Sequence, residues 1–118
     1  MLKGKTIVKV DILEFIQSCV VRQRIRWTYH VNMRLRGRFI PREAILTSAD
    51  CYEIIEEYGK DRYLPSYLIR SEYRQEIIHV LIAVDMESDY VTIVTAYKPS
   101  PAKWEDGFRK RRKYHDMS

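Results

Sequence analysis

The chain reads as an α+β protein with helices first and strands afterwards. Three observations carry this. Ile12, Phe15, Ile16, Cys19 and Val20 recur at helical spacing. Beyond Asp50 the period shifts towards two, in β-branched and aromatic runs at residues 52–58, 67–72, 76–85 and 90–97. Turn-forming segments at 59–65, 71–75 and 86–89 separate those runs.

Each element has a local cause. Asp11 followed by Glu14 forms an N-cap with its reciprocal acid, so the first amphipathic helix starts there and runs to about Gln23. Thr28 is the cap of a second helix. Val31 and Leu35 lie on one side of it, and His30, Arg34 and Arg38 follow at four-residue steps on another. Pro41 suits the first turn of a short third helix carrying Ala44, Ile45 and Leu46. The four later runs make an antiparallel sheet, and the strand at 76–85, apolar on both faces from Ile77 to Val84, is a central one. Residues 98–101 end the sheet, and 102–113 read as a short terminal helix in which Trp104 and Phe108 dock the segment. The expected architecture is therefore two to three N-terminal helices on a four-stranded antiparallel sheet, closed by a short C-terminal helix.

With 118 residues, 46% of them hydrophobic, the chain can bury one core, and residues 1–118 form a single domain. Residues 109–118 are a basic tail of the kind that stays disordered. The formal charge is +5, unevenly spread. Acids gather between Glu43 and Asp61, whereas seven arginines (Arg22, Arg24, Arg26, Arg34, Arg36, Arg38, Arg42) stand between Glu14 and Glu43 with no acid among them. Such asymmetry favours a polyanionic partner, nucleic acid ahead of membrane. A guanidinium fork holds phosphate oxygens bidentately, and His30, amid the arginines, can exchange a proton near neutral pH. The alternative is a solvated helix face with a structural histidine.

Cys19 and Cys51 lack any metal-ligand or disulfide-framework spacing and read as buried small hydrophobes. Asp11 and Glu14 interrupt any apolar signal region, and no apolar stretch is long enough to span a bilayer, so the protein is expected in the cytoplasm.

Trp27, Thr28, Tyr29 and His30, then Arg38 and Ile40, the stretch 53–58, His79 with Val80, Thr95 with Tyr97 and Pro99, Trp104, and Phe108 with Arg111 or Arg112 follow one another in a recognisable order. From about Asp11 onward this pattern resembles a small prokaryotic family of unknown function placed near the RelE/ParE and BrnT-like toxins, whose genes often adjoin one for a YgiT-type (MqsA-like) zinc-finger antitoxin. That family commonly has glycine just after the arginine matching Arg38; here Phe39 stands there, with Gly37 before it.

The resemblance implies a RelE-like fold and a metal-independent endoribonuclease, needing no cofactor, in which a ribose 2′-hydroxyl attacks the adjacent phosphate. It implies RNA as substrate and a zinc-finger antitoxin as protein partner. That chemistry needs a base, an acid for the leaving oxygen and cations around the phosphorane. His30 and His79 are the base or acid candidates and Tyr97 a proton donor or base-stacking group. Arg34 and Arg38 would hold phosphate, and Arg111 and Arg112 would extend the footprint along RNA. His79 equally reads as a core histidine, and Thr95 as a good strand residue. A non-catalytic nucleic-acid-binding module or a protein-interaction module is the alternative function. If the site spans both strands, His79 must share a face with Tyr97. This needs an odd-length loop or a bulge between their strands, because a four-residue loop alone sets His79 opposite Ala96.

Overall fold

The computed structural model describes residues 11–59 and 63–113. Helix α1 (Ile12–Val21) begins where the Asp11 carboxylate accepts the Glu14 N–H at 3.1 Å. It ends in a paired C-terminal lock: Arg24 N–H reaches the Cys19 carbonyl at 2.8 Å and Gln23 N–H the Val20 carbonyl at 3.1 Å, with Gln23 left-handed at φ 59°. The chain then forms strand β1 (Ile25–Trp27) and helix α2 (Tyr29–Gly37), capped by Thr28 Oγ1 accepting the Val31 N–H at 3.0 Å. Helix α3 (Arg42–Leu46) follows, with Pro41 one position outside it at the N-cap. A short 3-10 turn (Ala49–Cys51) leads into strands β2 (Glu53–Tyr58), β3 (Ser66–Tyr73), β4 (Glu76–Asp85) and β5 (Tyr90–Tyr97).

The fold is α+β, with two corrections to the expected layout. Among the described residues the sheet has five strands, in the order β1-β5-β4-β3-β2, and is mixed: β1 runs parallel to β5, with Ile25 opposite Val91 and Trp27 opposite Ile93. Three residues are too few to display a period of two, and what makes them a strand is the free edge of β5. Secondly, the described residues 102–113 form no helix. Strands β6 (Trp104–Glu105) and β7 (Lys110–Arg111) make a hairpin, and Asp106, Gly107 and Phe108 at its tip have φ values of 55°, 64° and 69°. Three successive left-handed residues cannot belong to a right-handed helix. The Asp106–Gly107 pair is the local signal for such a turn. The basic run 109–113 thus includes β7, and residues 114–118 lie outside the described residues.

The helices cover one face of the sheet. Ile69, Ile78, Val80, Ile82, Val91 and Ile93 meet Ile16, Val20, Val31 and Ile45 there, all essentially inaccessible. Cys19 is buried in this core, but Cys51 is exposed, contrary to its expected burial. No described helix is long and apolar enough to cross a membrane.

The opposite face is partly open. The β6–β7 hairpin lies across one end of it, clamped by polar contacts: Arg70 Nε donates to the Gly107 carbonyl at 2.7 Å, Arg109 binds the Glu53 carboxylate at 2.9 Å, and Arg111 grips Glu56 through two bonds of 2.7 and 3.1 Å. Trp104, only 4% exposed, is the apolar anchor.

Candidate functional site

The open face and the α2 flank meet at β5. The four-residue loop 86–89 does close between the paired residues Asp85 and Tyr90, a register that alone would set His79 against Ala96. Beyond it, however, Ile82 pairs with Ile93 and Leu81 with Thr95, so Val94 has no opposite number and the strand bulges. The extra residue restores odd-with-odd pairing, and His79 faces Tyr97.

His79 is wholly inaccessible. Its ring sits edge-on against Trp104, with centroids 4.5 Å apart, and against Tyr97 at 5.3 Å. Nε2 lies 2.8 Å from the Phe108 carbonyl, which can only accept, so Nε2 carries a proton. Burial lowers the pKa of the ring against the upward pull of that carbonyl and of Glu56, and Arg70 and Arg111 push it further down. The neutral ring therefore presents the Nδ1 lone pair to the Tyr97 hydroxyl, 3.2 Å away, which donates to it. Burial also raises the Tyr97 pKa, opposed by Arg111 and Arg38. At neutral pH the pair is an uncharged phenol hydrogen-bonded to an uncharged imidazole.

Beside Tyr97 opens a cleft of about 360 Å³. Its floor is apolar (Leu68, Leu81, Ala83, Val94), and Tyr58, Thr95, Tyr97 and Arg111 bring polar groups to it. Such a mixture suits a flat, partly apolar ligand with a few hydrogen-bonding atoms. Arg38, at the C-cap of α2, donates through Nη1 to the Ala96 carbonyl at 2.8 Å and to Thr95 Oγ1 at 3.2 Å, which pins the guanidinium to the β5 edge. Its Nε and Nη2 make no hydrogen bond among the described residues. Arg111 stacks over Trp104 at 4.6 Å while held by Glu56. Thr95, read from the sequence as a strand-forming residue, thus links the helix-borne arginine to the cleft.

The remaining expected residues lie elsewhere. His30 is exposed and meets only Arg34, Nε2 to Nη2 at 3.4 Å, among the described residues. Two four-residue steps of α2 set it about 12 Å along the helix from Arg38. No contact joins His30 to His79, so the two histidines expected to share the chemistry are not brought together. The His79 ring is sealed from solvent, and its side-chain hydrogen-bond partner among the described residues is Tyr97. Arg112 holds the Pro101 carbonyl at 2.8 Å and Glu105 at 3.4 Å, and so ties the hairpin together instead of reaching the cleft.

The arginine run divides in the same way. Arg22 binds Asp89 at 2.8 and 3.0 Å, Arg24 binds the Asp89 and Ser88 carbonyls, and Arg26 binds Asp85 at 3.2 Å, with Arg24 and Arg26 also stacked on Tyr90. These three hold the β4–β5 loop. Arg34, Arg36 and Arg38 on α2 and its C-cap, and Arg42 at the start of α3, have no carboxylate partner among the described residues and make this side of the molecule a cationic ridge. No three His, Cys, Asp or Glu side chains among the described residues come together in a metal-binding group.

Residues 27–98 match the family described as a domain of unknown function (DUF4258). The chain belongs to that family. The DUF4258 segment carries Arg38, Thr95, His79 and Tyr97 and so both walls of the β4–β5 pair, whereas Trp104, Phe108 and Arg111, which seal His79 and frame the cleft, come from chain beyond it. Comparisons with curated proteins and with solved structures returned no match.

Proposed function

We propose that this protein is a RelE-like toxin of a type II toxin–antitoxin system, an endoribonuclease that works without a metal and is neutralised by a zinc-finger antitoxin. The observation that carries the reading is the Tyr97–His79 pair at the edge of a cleft with Arg38 and Arg111 beside it. In the reaction the ribose 2′-oxygen bonds to phosphorus as its proton passes to Tyr97 Oη, and Tyr97 hands its own proton to His79 Nδ1. The bond from phosphorus to the 5′-oxygen breaks, leaving a 2′,3′-cyclic phosphate. The proton returns from His79 through Tyr97 to the 5′-oxygen, which restores the neutral pair. Arg38 and Arg111 offset the charge that builds on the phosphorane oxygens, and Arg34 and His30 extend the phosphate track along α2. His79 acts through Tyr97, orienting its hydroxyl and taking and returning its proton, and Tyr97 is the group that meets RNA.

Incubation of the purified chain with end-labelled single-stranded RNA tests the reading. The expected products end in 2′,3′-cyclic phosphate, and Tyr97→Phe slows their formation by roughly 10²–10⁴-fold, the usual worth of a positioned proton-transfer group. Absence of cleavage, or equal cleavage by Tyr97→Phe, overturns it. The sealing of His79, with both ring nitrogens engaged, favours a second reading in which the same surface binds nucleic acid without cleaving it. Salt-sensitive binding without products selects that one.

A further inference from the structure

Helix α2 has a second flank that the cleft does not use. At about 100° per residue, His30, Arg34 and Arg38 descend towards Thr95, whereas Tyr29 and Arg36 lie within about 20° of each other on the opposite side of the exposed crest at Met33. A groove of about 550 Å³ runs along this flank between Tyr29, Arg36, Ile40 and Arg42. Tyr29 is 79% exposed and Phe39 83%. Two large aromatic rings in solvent, one in the first turn of a short helix and the other just past its C-cap, are not a requirement of the core.

Phe39 also sits where the backbone asks for something else. The end of α2 is locked by Ile40 N–H on the Leu35 carbonyl at 2.9 Å and Phe39 N–H on the Arg36 carbonyl at 3.2 Å, with the apolar contact residues Ile40 and Leu35 both buried. That motif places Phe39 at φ 58°, a left-handed position for which glycine is the unstrained residue. A phenylalanine there costs stability and hides little of its own apolar surface, and strained backbone under an exposed ring points to use of the ring.

The surroundings specify the user. Arg36 has no carboxylate partner among the described residues, Arg42 lies over Trp27 at 4.4 Å with its guanidinium on Asn32, and no acid occurs between Glu14 and Glu43. A ligand with flat apolar faces and regular negative charge satisfies both the rings and the guanidinium groups. The chain itself links this side to the cleft's rim, because Arg38, bonded to Thr95, directly precedes Phe39. We propose that Tyr29 and Phe39 are a stacking platform for unpaired bases of the RNA strand that leaves the cleft past Arg38, so that the protein selects single-stranded over duplex RNA. The identity of the strand in the cleft rests on the endoribonuclease reading; the platform itself does not require cleavage.

Fluorescence anisotropy of the full chain with a labelled oligouridylate, 2′-O-methylated to block cleavage, and with a duplex of equal length tests the platform. Phe39→Gly removes the ring and relieves the left-handed strain, so its thermal midpoint is expected to rise and lost binding cannot be lost folding. Phe39→Gly and Tyr29→Ala are each expected to weaken single-strand binding about five- to hundredfold, the range of one base stack. The dependence on salt stays unchanged, because no phosphate contact is removed. Wild-type affinity in both variants, or duplex bound as tightly as single strand, overturns the proposal. RNA cleaved by wild type but bound equally by both variants removes the platform and leaves the nuclease. Stacking-dependent binding without cleavage does the reverse, and no RNA binding removes both. If Phe39→Gly keeps its RNA affinity but loses a co-purifying protein, the flank belongs to a protein partner and the proposal fails.

Discussion

Acidification below about pH 6.5 is expected to destabilise this protein through His79. The ring is wholly buried, and its pKa lies below the ordinary 6.5 because burial penalises the charged form. The Phe108 carbonyl favours the imidazolium, and the Tyr97 hydroxyl can turn round to accept from it, so hydrogen bonding does not hold the ring neutral; exclusion of water does. The unfolded chain takes up a proton near pH 6.5 and the folded chain only at lower pH. The contribution of His79 is therefore fully present above about pH 6.5 and is lost as pH falls below it, with a limiting slope of about 1.4 kcal/mol per pH unit. The loss at pH 5 is bounded above by about 2 kcal/mol, the limit for a ring that takes up no proton in the folded state. Asp85 and Asp89, held below the ordinary 3.8 mainly by the Ser88 N–H and by Arg22 respectively, titrate beneath this window.

Urea unfolding between pH 7 and 5, followed by tryptophan fluorescence, measures the effect, since Trp104 packs on the ring itself. His79→Gln keeps an N–H for the Phe108 carbonyl and an acceptor for Tyr97 without a titrating group. Its stability is expected to change little across the window while that of the wild type falls. Parallel pH dependences in the two proteins would refute the reasoning, because the slope would then originate elsewhere.

Two further outcomes follow from backbone geometry and charge. Gly59 has φ 116°, and a Cβ there would stand 2.8 Å from the Pro65 Cα, so Gly59→Ala is expected to cost about 1–3 kcal/mol in urea unfolding, and an unchanged midpoint would contradict the loop geometry. Arg34→Ala is expected to lower the salt slope of RNA binding by about one, whereas Arg22→Ala, whose guanidinium already binds Asp89, leaves that slope unchanged; equal effects would show that position in the run, not pairing, decides availability.

What the sequence made legible was mostly local. Asp11 and Thr28 cap helices because a cap needs only the next few residues, and the bounds of β4 and β5 follow from β-branched and apolar runs set between turn-forming residues. Strand β1 was illegible because its cause is the edge of β5, more than sixty residues away in the chain. The terminal hairpin was misread because the four-residue spacing of Trp104 and Phe108 resembles a helix, while Asp106–Gly107 between them dictates a turn. The site divides along the same line. The need for a bulge to align His79 with Tyr97 could be deduced from the period of two, but its position at Val94 could not, since valine is an ordinary strand residue.

The arginines make the sharpest case. Arg22 and Arg34 are chemically identical in the sequence and stand in one acid-free run. The β4–β5 loop returns Asp85 and Asp89 to the first three arginines of that run, whereas no described carboxylate returns to α2. A charge pattern reports how many cations a segment holds, and only the folded path of the acids decides which of them face a ligand. Here that path leaves the cationic ridge beside Thr95 and Tyr97, so the chemistry assigned to the cleft depends on the placement of carboxylates that never touch it.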